Sequence, residues 1–412
     1  MDLGRNRSNL KIAWEKIMSK NSITPIKFKS FLNHWSYTRL KEVKDVRDGT
    51  HSSPKYIDNG YPLVTSKNLT DSGLNLNDVS LISESDYNEI NKRSKVEVGD
   101  ILLGLIGTIG KPVLVEIDGF AIKNVGLIKN GGKIQNQFLL QYLKTNLFNK
   151  YIQIEMAGNT QKFLGLETLR NTKVPLPSQE EQSAIGSLFR TLDDLLSSYK
   201  DNLTNYQSLK ATMLSKMFPK AGQTVPEVRL DGFEGEWEEK QFSKLVKRVT
   251  QSSDSDSLPK VEFEDIISGQ GRLNKDISSK FDNRKGILFK PGYTLYGKLR
   301  PYLNNWLLPE FEGVALGDFW VFNPKGNDSN FIYYLVQSSR YQKVANDTSG
   351  TKMPRSDWKS VSTTIFAIPQ TVAEQRAIGS YFSNLDNLIN SHQEKITQFE
   401  TLKKKLLQDM FI

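Results

Sequence analysis

Apolar residues recur at steps of three and four along two long stretches of the chain. In the first stretch they stand at positions 185, 188, 192, 195, 199, 203, 206, 209, 213 and 217. The same steps return 193 positions later, from Ile378 to Met410, with His392 in the place of Tyr199. This spacing, sustained over about five heptads, predicts long helices with a coiled-coil seam. Because the two stripes match, we expect the helices to pair with each other in antiparallel orientation.

The two stretches are copies of one sequence. "EQSAIGSLF" at 181–189 returns as "EQRAIGSYF" at 374–382, and 17 of the 38 positions from 181 to 218 are identical 193 residues later. Each copy begins with a capping box, Ser178-x-x-Glu181 and Thr371-x-x-Glu374, which satisfies free N–H groups of the first turn. A fainter echo lies upstream, where "VGDILLG" at 98–104 corresponds to "PGYTLYG" at 291–297. The chain therefore contains two copies of one unit.

Short β patterns bounded by Gly, Pro and Asn precede each long helix, together with further helical stretches. The predicted strands are Ile101–Leu105, Val113–Val115, Ala121–Ile128, Ile287–Phe289 and Val314–Phe322, and the predicted helices cover 136–156 and 330–346. This mixture predicts the α/β fold class, with two globular α/β domains, two long antiparallel coiled-coil helices and an internal pseudo-twofold duplication. The predicted domains are an N-terminal extension at 1–22, a first globular domain at 23–173, a first long helix at 174–219, a linker and second globular domain at 220–365, and a second long helix at 366–412.

The basic surplus of the chain lies outside the long helices. The formal net charge is +9, from 55 Lys and Arg against 46 Asp and Glu. Residues 178–218 hold four bases and five acids, and residues 370–412 hold five of each, which leaves +10 for the rest of the chain. A positive surplus in the globular parts favours a nucleic acid bound by them and a protein-facing role for the helices.

Several function classes lack the residues that they need. Without cysteine there is no disulfide, thiolate nucleophile or cysteine-ligated metal. The three histidines, His34, His51 and His392, stand far apart, so neither a metal-ligand spacing nor a Ser/His/Asp set can be argued. No apolar run approaches the ~18 residues of a membrane span, and the N-terminus lacks the apolar stretch of a secretory signal. We expect a cytoplasmic protein that does not contact a membrane.

Enzymatic motifs are incomplete. "GLIGTIGK" at 104–111 fails the phosphate-loop spacing, because Leu105 stands five residues before Gly110 and Pro112 replaces the required Ser or Thr. The Asp/Asn-Pro-Pro-aromatic tetrapeptide that an adenine methyltransferase would need is absent. We therefore interpret the chain as a binding protein with no catalytic residue and no metal site of its own.

Two alternatives stay open at this point. Asp231, Glu238 and Lys240 resemble the carboxylate and lysine metal site of many nucleases, where carboxylates hold a divalent ion. The chain could therefore be a nuclease in its own right. A coiled-coil scaffold that does not contact DNA is the other alternative.

The arrangement of two variable domains, each followed by a "P…EQ-x-AIG" long helix, resembles the specificity subunit of type I restriction–modification systems. The segments "RDGTHSSPKYIDNGYPLVTSKNL" at 47–69, "GNTQKFLGLETLRNTKVPLPSQEEQ" at 158–182 and "VPEVRLDGFEGEWEEK" at 225–240 also resemble that family. Together with the second long helix, these segments are distributed over nearly the whole chain. We call the segment at 225–240, which precedes the second globular domain, the entry motif. Its counterpart before the first domain departs from the pattern, with "FLNHW" at 31–35 in place of "FEGEW" at 233–237, and residues 1–22 have no counterpart in the second copy.

The resemblance implies a DNA-specificity subunit of a type I restriction–modification complex. Two target-recognition domains would each bind one half of a split site in double-stranded DNA, and the antiparallel helix pair would space them. Two adenine-N6 methyltransferase subunits and two restriction subunits would be its partners. S-adenosylmethionine, ATP and Mg would be bound by those partners, and no cofactor by this chain.

Candidate DNA-contacting residues carry side chains that hydrogen-bond base edges or pair with phosphates. In the first domain they are Thr50, His51, Ser52, Lys55, Lys67, Asn68, Gln161 and Lys162; in the second they are Lys298, Arg300, Tyr302, Lys352, Arg355 and Lys359. The residues expected to dock the methyltransferase subunits belong to the repeated helix starts and the entry motif. They are Glu181, Gln182, Glu374, Gln375 and Trp237.

Overall fold

The computed structural model describes residues 31, 34–71, 73–156, 163–280, 283–347 and 353–411. Two compact units make up the chain: residues 1–198 with 395–412 form the first unit, and residues 199–394 form the second. The division runs through both long helices, α6 (Gln179–Lys216) and α11 (Val372–Met410). Among the described residues, no helix combines the length and apolar character needed to cross a membrane.

In the first unit, short strands and helices precede α6. They are β1 (Ser36–Arg39), α1 (Leu40–Val43), β2 (Val46–Asp48), β3 (Tyr56–Val64), β4 (Leu69–Thr70), β5 (Gly73–Leu74), β6 (Ser80–Ile82), α2 (Glu84–Ser94), β7 (Ile101–Gly104), β8 (Pro112–Leu114), β9 (Ala121–Ile122), β10 (Val125–Ile128), α3 (Asn136–Leu143), α4 (Asn146–Met156), α5 (Leu166–Arg170) and β11 (Lys173–Leu176). A 3-10 turn covers Ser66–Asn68.

The second unit repeats the order of the main-sheet strands and of the three short helices that precede the long helix. Its elements are β12 (Glu238–Gln241), α7 (Phe242–Leu245), β13 (Lys247–Val249), β14 (Ser252–Ser253), β15 (Lys260–Val261), β16 (Ile266–Ile267), β17 (Arg272–Leu273), β18 (Gly286–Phe289), β19 (Thr294–Gly297), β20 (Trp306–Leu307), β21 (Gly313–Ala315), β22 (Phe319–Asn323), α8 (Ser329–Leu335), α9 (Ser339–Ala345), α10 (Trp358–Thr363) and β23 (Ile365–Ile368). Its 3-10 turns cover Phe263–Asp265 and Pro301–Leu303.

The main sheets of the two units have the same topology. The first unit contains a four-stranded antiparallel sheet in the order β2-β10-β7-β8, and the second contains β13-β22-β19-β20. A two-stranded sheet joins the beginning and end of each globular part, β1 with β11 and β12 with β23. The duplication, faint in the globular sequences, is therefore clear in their fold, and the mixed α/β class agrees with the prediction.

Some predicted elements are divided in two by local backbone features. The predicted strand 121–128 is interrupted at Asn124 (φ 56°), and the predicted strand 314–322 at Gly317 (φ 86°). The predicted helix 136–156 breaks at Thr145, whose hydroxyl accepts a hydrogen bond from the N–H of Phe148 at 3.2 Å. Ser338, which lies 193 residues later, caps α9 in the same way. The helices break where a hydroxyl group caps the start of a new helix. The strands break where one residue adopts the left-handed conformation.

The ends of the long helices contribute to the aromatic core of each unit. In the first unit, Phe411 lies 5.5 Å from Phe138 and 6.5 Å from Phe189, measured between ring centroids. The equivalent Phe218 in the second unit lies 5.7 Å from Phe331 and 6.1 Å from Phe382. In each unit, therefore, the end of one long helix packs beside the beginning of the other, as antiparallel pairing requires.

An ion pair between α6 and α11 also occurs in both units. Lys403 contacts Asp193 in the first unit, and Lys210 lies 2.7 Å from Asp386 in the second. Each residue of one pair lies 193 positions from its counterpart in the other. Nδ1–H of His392, on the predicted seam, donates a hydrogen bond to the carbonyl of Leu388 at 2.9 Å, and the His392 ring lies 5.0 Å from that of Tyr199.

The repeated phrase "EQ-x-AIG" is explained by contacts inside each unit. The side chain of Gln182 accepts from the N–H of Gln135 at 2.7 Å, just before α3. Gln375 accepts from the N–H of Asp328 at 3.0 Å, just before α8. The glycine that follows permits close approach, because a Cβ on Gly379 would lie 2.7 Å from the Cβ of Asn330. Both copies thus fix the start of the long helix to the globular part.

The predicted docking role of these residues is therefore corrected. All five candidates are buried, at 0–4% exposure: Glu181, Gln182, Glu374, Gln375 and Trp237. In the second unit, Glu374 accepts from Arg229 at 2.7 and 2.9 Å and from the indole N–H of Trp237 at 3.1 Å. A side chain enclosed in this way holds its own unit together and has no surface to offer to a partner.

Candidate nucleic-acid interface

One end of the main sheet in each unit carries the loops in which DNA-contact candidates cluster. In the first unit β7 ends at Gly104, which pairs with Val125 at the start of β10, and β2 ends nearby at Asp48. In the second unit β19 ends at Gly297, paired with Phe319 at the start of β22. We call this edge the loop end. It comprises residues 49–53, 105–111 and 123–124 in the first unit and residues 298–305, 318 and 353–356 in the second.

His51 is held at the loop end of the first unit by two hydrogen bonds. Its Nδ1 lies 2.9 Å from Oδ1 of Asn124, and its Nε2 lies 2.8 Å from Oδ2 of Asp48, which also contacts Arg93. The bond to Asn124, followed by the one to Asp48, raises the pKa of the imidazole above its usual value. Because the His51 side chain is 59% exposed, this fixed and more readily protonated ring can face a phosphate.

The loop that carries His51 is rigidly anchored. The N–H of Thr50 donates to the carbonyl of Ile122 at 3.0 Å, and the hydroxyls of Thr50 and Ser52 lie 2.8 Å apart. Gly49 is required here, since a Cβ at that position would lie 2.3 Å from the carbonyl oxygen of Ile122. The loop therefore presents exposed hydroxyl groups on a fixed backbone.

The remaining first-domain candidates divide into two exposed lysines and one buried amide. Lys55 is exposed, and its N–H lies 3.3 Å from Asp86. Lys67 is 56% exposed and lies 3.4 Å from Asp78. Asn68 is 3% exposed, and its amide accepts from the N–H of Thr65 and donates to backbone carbonyls. Asn68 is thus removed as a base-contacting candidate, because its side chain caps the 3-10 turn.

The structure brings four second-domain candidates together. Lys298, Arg300 and Tyr302 stand on the loop between β19 and β20, and Arg355 joins them through a bridge to Leu299. Asp318 lies 3.5 Å from the ammonium of Lys298 and 3.0 Å from the guanidinium of Arg355. Tyr302 is 57% exposed.

Lys359 is exposed on α10. Gln161, Lys162, Lys352 and residues 1–22 lie outside the described residues.

The sequence-based selection missed the first-domain counterpart of this loop. Residues 105–111 connect β7 to β8, and Ile106 bridges to Phe163 as Leu299 bridges to Arg355. Ile106 and Phe163 are 42% and 46% exposed. Apolar side chains of this kind can contact thymine methyl groups. The 193-residue offset between "VGDILLG" and "PGYTLYG" was the available signal for this loop.

The nuclease alternative gains no support from the geometry. Glu238 and Lys240 stand on β12 and pair with each other at 2.6 Å. Among the described residues, no group of three or more His, Asp or Glu side chains is arranged to hold a metal ion.

Comparison with known proteins decides the family. The type I restriction modification DNA specificity domain matches residues 33–205 and 253–401, which is more than half of the chain. The chain belongs to this family. It is a type I restriction–modification specificity subunit, a non-catalytic component for DNA recognition whose partners are DNA and the modification and restriction subunits.

Individual relatives match this specificity subunit over nearly its whole length or over part of it. The type I restriction enzyme MjaIX specificity subunit of Methanocaldococcus jannaschii is 22% identical over 435 residues, covering 97% of this chain and 96% of that protein. The MjaVIII specificity subunit of the same organism is 30% identical over 171 residues, 39% of this chain and 40% of that one. The crystal structure of the S subunit from M. genitalium has a TM-score of 0.62 at 13% identity, covering 95% of this chain and 99% of that chain, so the fold is shared.

Proposed function

We propose that each unit of this specificity subunit binds one half of a split DNA site through its loop end. The observation that carries the proposal is that both units place a β-hairpin loop at the same end of the same sheet, with different side chains on it. The loop end of the first unit carries His51 and Ile106, whereas that of the second carries Arg300 and Arg355. Equivalent loop ends that carry unlike side chains suit two domains that recognise two different sequences.

The charge distribution supports the same conclusion. The +10 surplus lies outside the long helices, where the loop ends are. Contacts with phosphates would make binding fall steeply with salt. We further propose that two methyltransferase subunits and two restriction subunits assemble with one copy of this chain. That the helix pair sets the distance between the half-sites stays a prediction.

We expect the purified chain alone neither to methylate nor to cleave DNA with S-adenosylmethionine, ATP and Mg²⁺ present. Combined with its methyltransferase subunit, it should retard a target duplex in a salt-sensitive gel shift and direct adenine methylation. The methyltransferase subunit without this chain is the control. Methyl transfer or cleavage by the chain alone would contradict the proposal, as would a complex that shifts no DNA.

Four exposed leucines on the long helices replace the corrected docking residues. Leu195, Leu209, Leu388 and Leu402 were predicted on the mutual seam, but they are 38–44% exposed. Leu388 lies 193 positions after Leu195, and Leu402 lies 193 positions after Leu209, so the four leucines form two equivalent pairs. Leu195 and Leu402 belong to the first unit, near the ion pair of Asp193 with Lys403, and Leu209 and Leu388 belong to the second. We propose that each pair contacts one methyltransferase subunit.

Leu195→Lys/Leu402→Lys should remove one methyltransferase subunit from the assembly, because docking would bury the exposed part of each leucine, worth about 1 kcal/mol apiece, and each lysine would place an unpaired charge in the contact. Native mass spectrometry of the co-purified complex would measure the number of subunits bound. The control, Ser197→Lys/Gln408→Lys, adds the same charges at exposed polar positions of the same helices. Equal loss in both variants, or full occupancy in the leucine variant, would exclude this docking site.

A further inference from the structure

The two hairpin loops share a backbone conformation as well as a position. Two residues with positive φ occur in each loop. In the first unit they are Gly107 (φ 78°) and Gly110 (φ 76°), and in the second they are Arg300 (φ 48°) and Asn304 (φ 55°). Gly107 and Arg300 correspond, because each immediately follows the residue that forms the bridge, Ile106 or Leu299. An arginine thus occupies a left-handed position that glycine fills in the other copy.

This conformation is unfavourable for arginine. In the left-handed region the Cβ of an L-residue is crowded against the backbone, whereas glycine has no Cβ to crowd. Strained residues of this kind are enriched at active sites and ligand-binding loops. The fold itself does not need a side chain here, because the only bonds of Arg300 to the described residues are made by its backbone, with Pro354 at 2.7 Å and Leu303 at 2.8 Å.

The guanidinium of Arg300 also differs from its charged neighbours. It is exposed, and within the described part of the chain it makes no hydrogen bond or ion pair. Lys298 and Arg355 share the carboxylate of Asp318. Their positions are fixed and their charge is partly neutralised, whereas the donors of Arg300 are all available to a ligand.

We infer that Arg300 recognises a guanine in the half-site bound by the second unit. The planar guanidinium offers two parallel N–H donors that match O6 and N7 of guanine in the major groove, and lysine cannot reproduce this fork. Lys298 and Arg355 flank it and face the phosphates. The first unit has Gly107 at this position and obtains no such contact from its loop. The inference rests on the proposed function and adds a base identity to it.

The test uses the whole complex. The chain is expressed with its methyltransferase subunit in a host without other adenine methylation, and the methylated motif is sequenced. We expect a guanine at a fixed position of the second half-site. Arg300→Lys and Arg300→Gly should each reduce discrimination at that position by roughly tenfold or more, with the first half-site unchanged. Because glycine relieves the strain, Arg300→Gly should melt at a temperature no lower than the original chain.

Lys325→Gly is the matched control. Lys325 is an exposed cation with φ 54°, and it follows β22 at the opposite end of that strand from Asp318. Its replacement should leave the motif unchanged. The inference is overturned by a second half-site without guanine, by full discrimination in Arg300→Lys, by uniform loss at all sequences, or by a lower melting temperature in Arg300→Gly. Absence of any two-part motif with the original chain would instead overturn the proposed function.

Discussion

Arg229→Met is expected to lower the free energy of unfolding of the second unit by about 3–5 kcal/mol, the usual cost of removing one partner of a buried ion pair. Arg229 is 16% exposed and Glu374 is 5% exposed. Without the guanidinium, the carboxylate of Glu374 would keep, among its partners in the described part of the chain, only the indole N–H of Trp237. The entry motif "VPEVRLDGFEGEW" would then lose its main attachment to α11.

Hydrogen exchange of the α8 amides measures this loss directly, because it reports the opening of one region in a chain of several parts. Lys216→Met is the matched control. Lys216 pairs with Glu227 of the same segment at 2.8 Å, but both side chains are more than 40% exposed, so its removal should cost about 0–1 kcal/mol. Equal costs for the two variants would show that the Arg229–Glu374 pair does not anchor the entry motif.

Exchanging residues 241–365 for the same region of a relative is expected to replace one half-site completely and leave the other unchanged. The junctions suit such a graft, because Gln241 and Ile365 are paired neighbours in the sheet of β12 and β23. The incoming domain therefore enters and leaves through two adjacent strands. The hydrogen bonds that Arg229 and Trp237 donate to Glu374 lie outside the exchanged region and remain intact.

The reciprocal exchange is the control. Arg39 and Lys173 are paired in the sheet of β1 and β11, so residues 40–172 form the equivalent segment of the first unit. Their replacement should change only the other half-site. Methylated-motif sequencing of both chimaeras gives the answer. A change in both half-sites after either exchange would show that the two units do not recognise DNA independently.

Periodicity and repetition in the sequence were sufficient for the architecture. The three-four spacing predicted long helices in the segments 174–219 and 366–412, and the structure has them at Gln179–Lys216 and Val372–Met410. Long helices can be predicted because a stripe repeated over many turns has few alternative explanations. The short strands were less certain in extent, since single residues such as Asn124 decide where each one ends.

Side-chain roles depended on burial, which a single sequence does not reveal. The repeated Glu-Gln pairs suggested a docking surface because both copies retain them, but the same repetition arises when each copy needs the same internal contact. Gln182 and Gln375 make that contact at the starts of α3 and α8. Asn68 was misassigned for the same reason. The cluster of Lys298, Arg300 and Arg355 depended on a bridge between residues 56 positions apart.

We propose that this chain gives a type I complex its two-part DNA specificity. The most direct measurement is to sequence methylated adenines in a host that expresses the chain with its methyltransferase subunit. We expect one motif with two short specified parts, separated by a gap of constant length and unspecified sequence, and no such motif when the chain is omitted. A continuous motif, or the same methylation without the chain, would contradict this role of the chain.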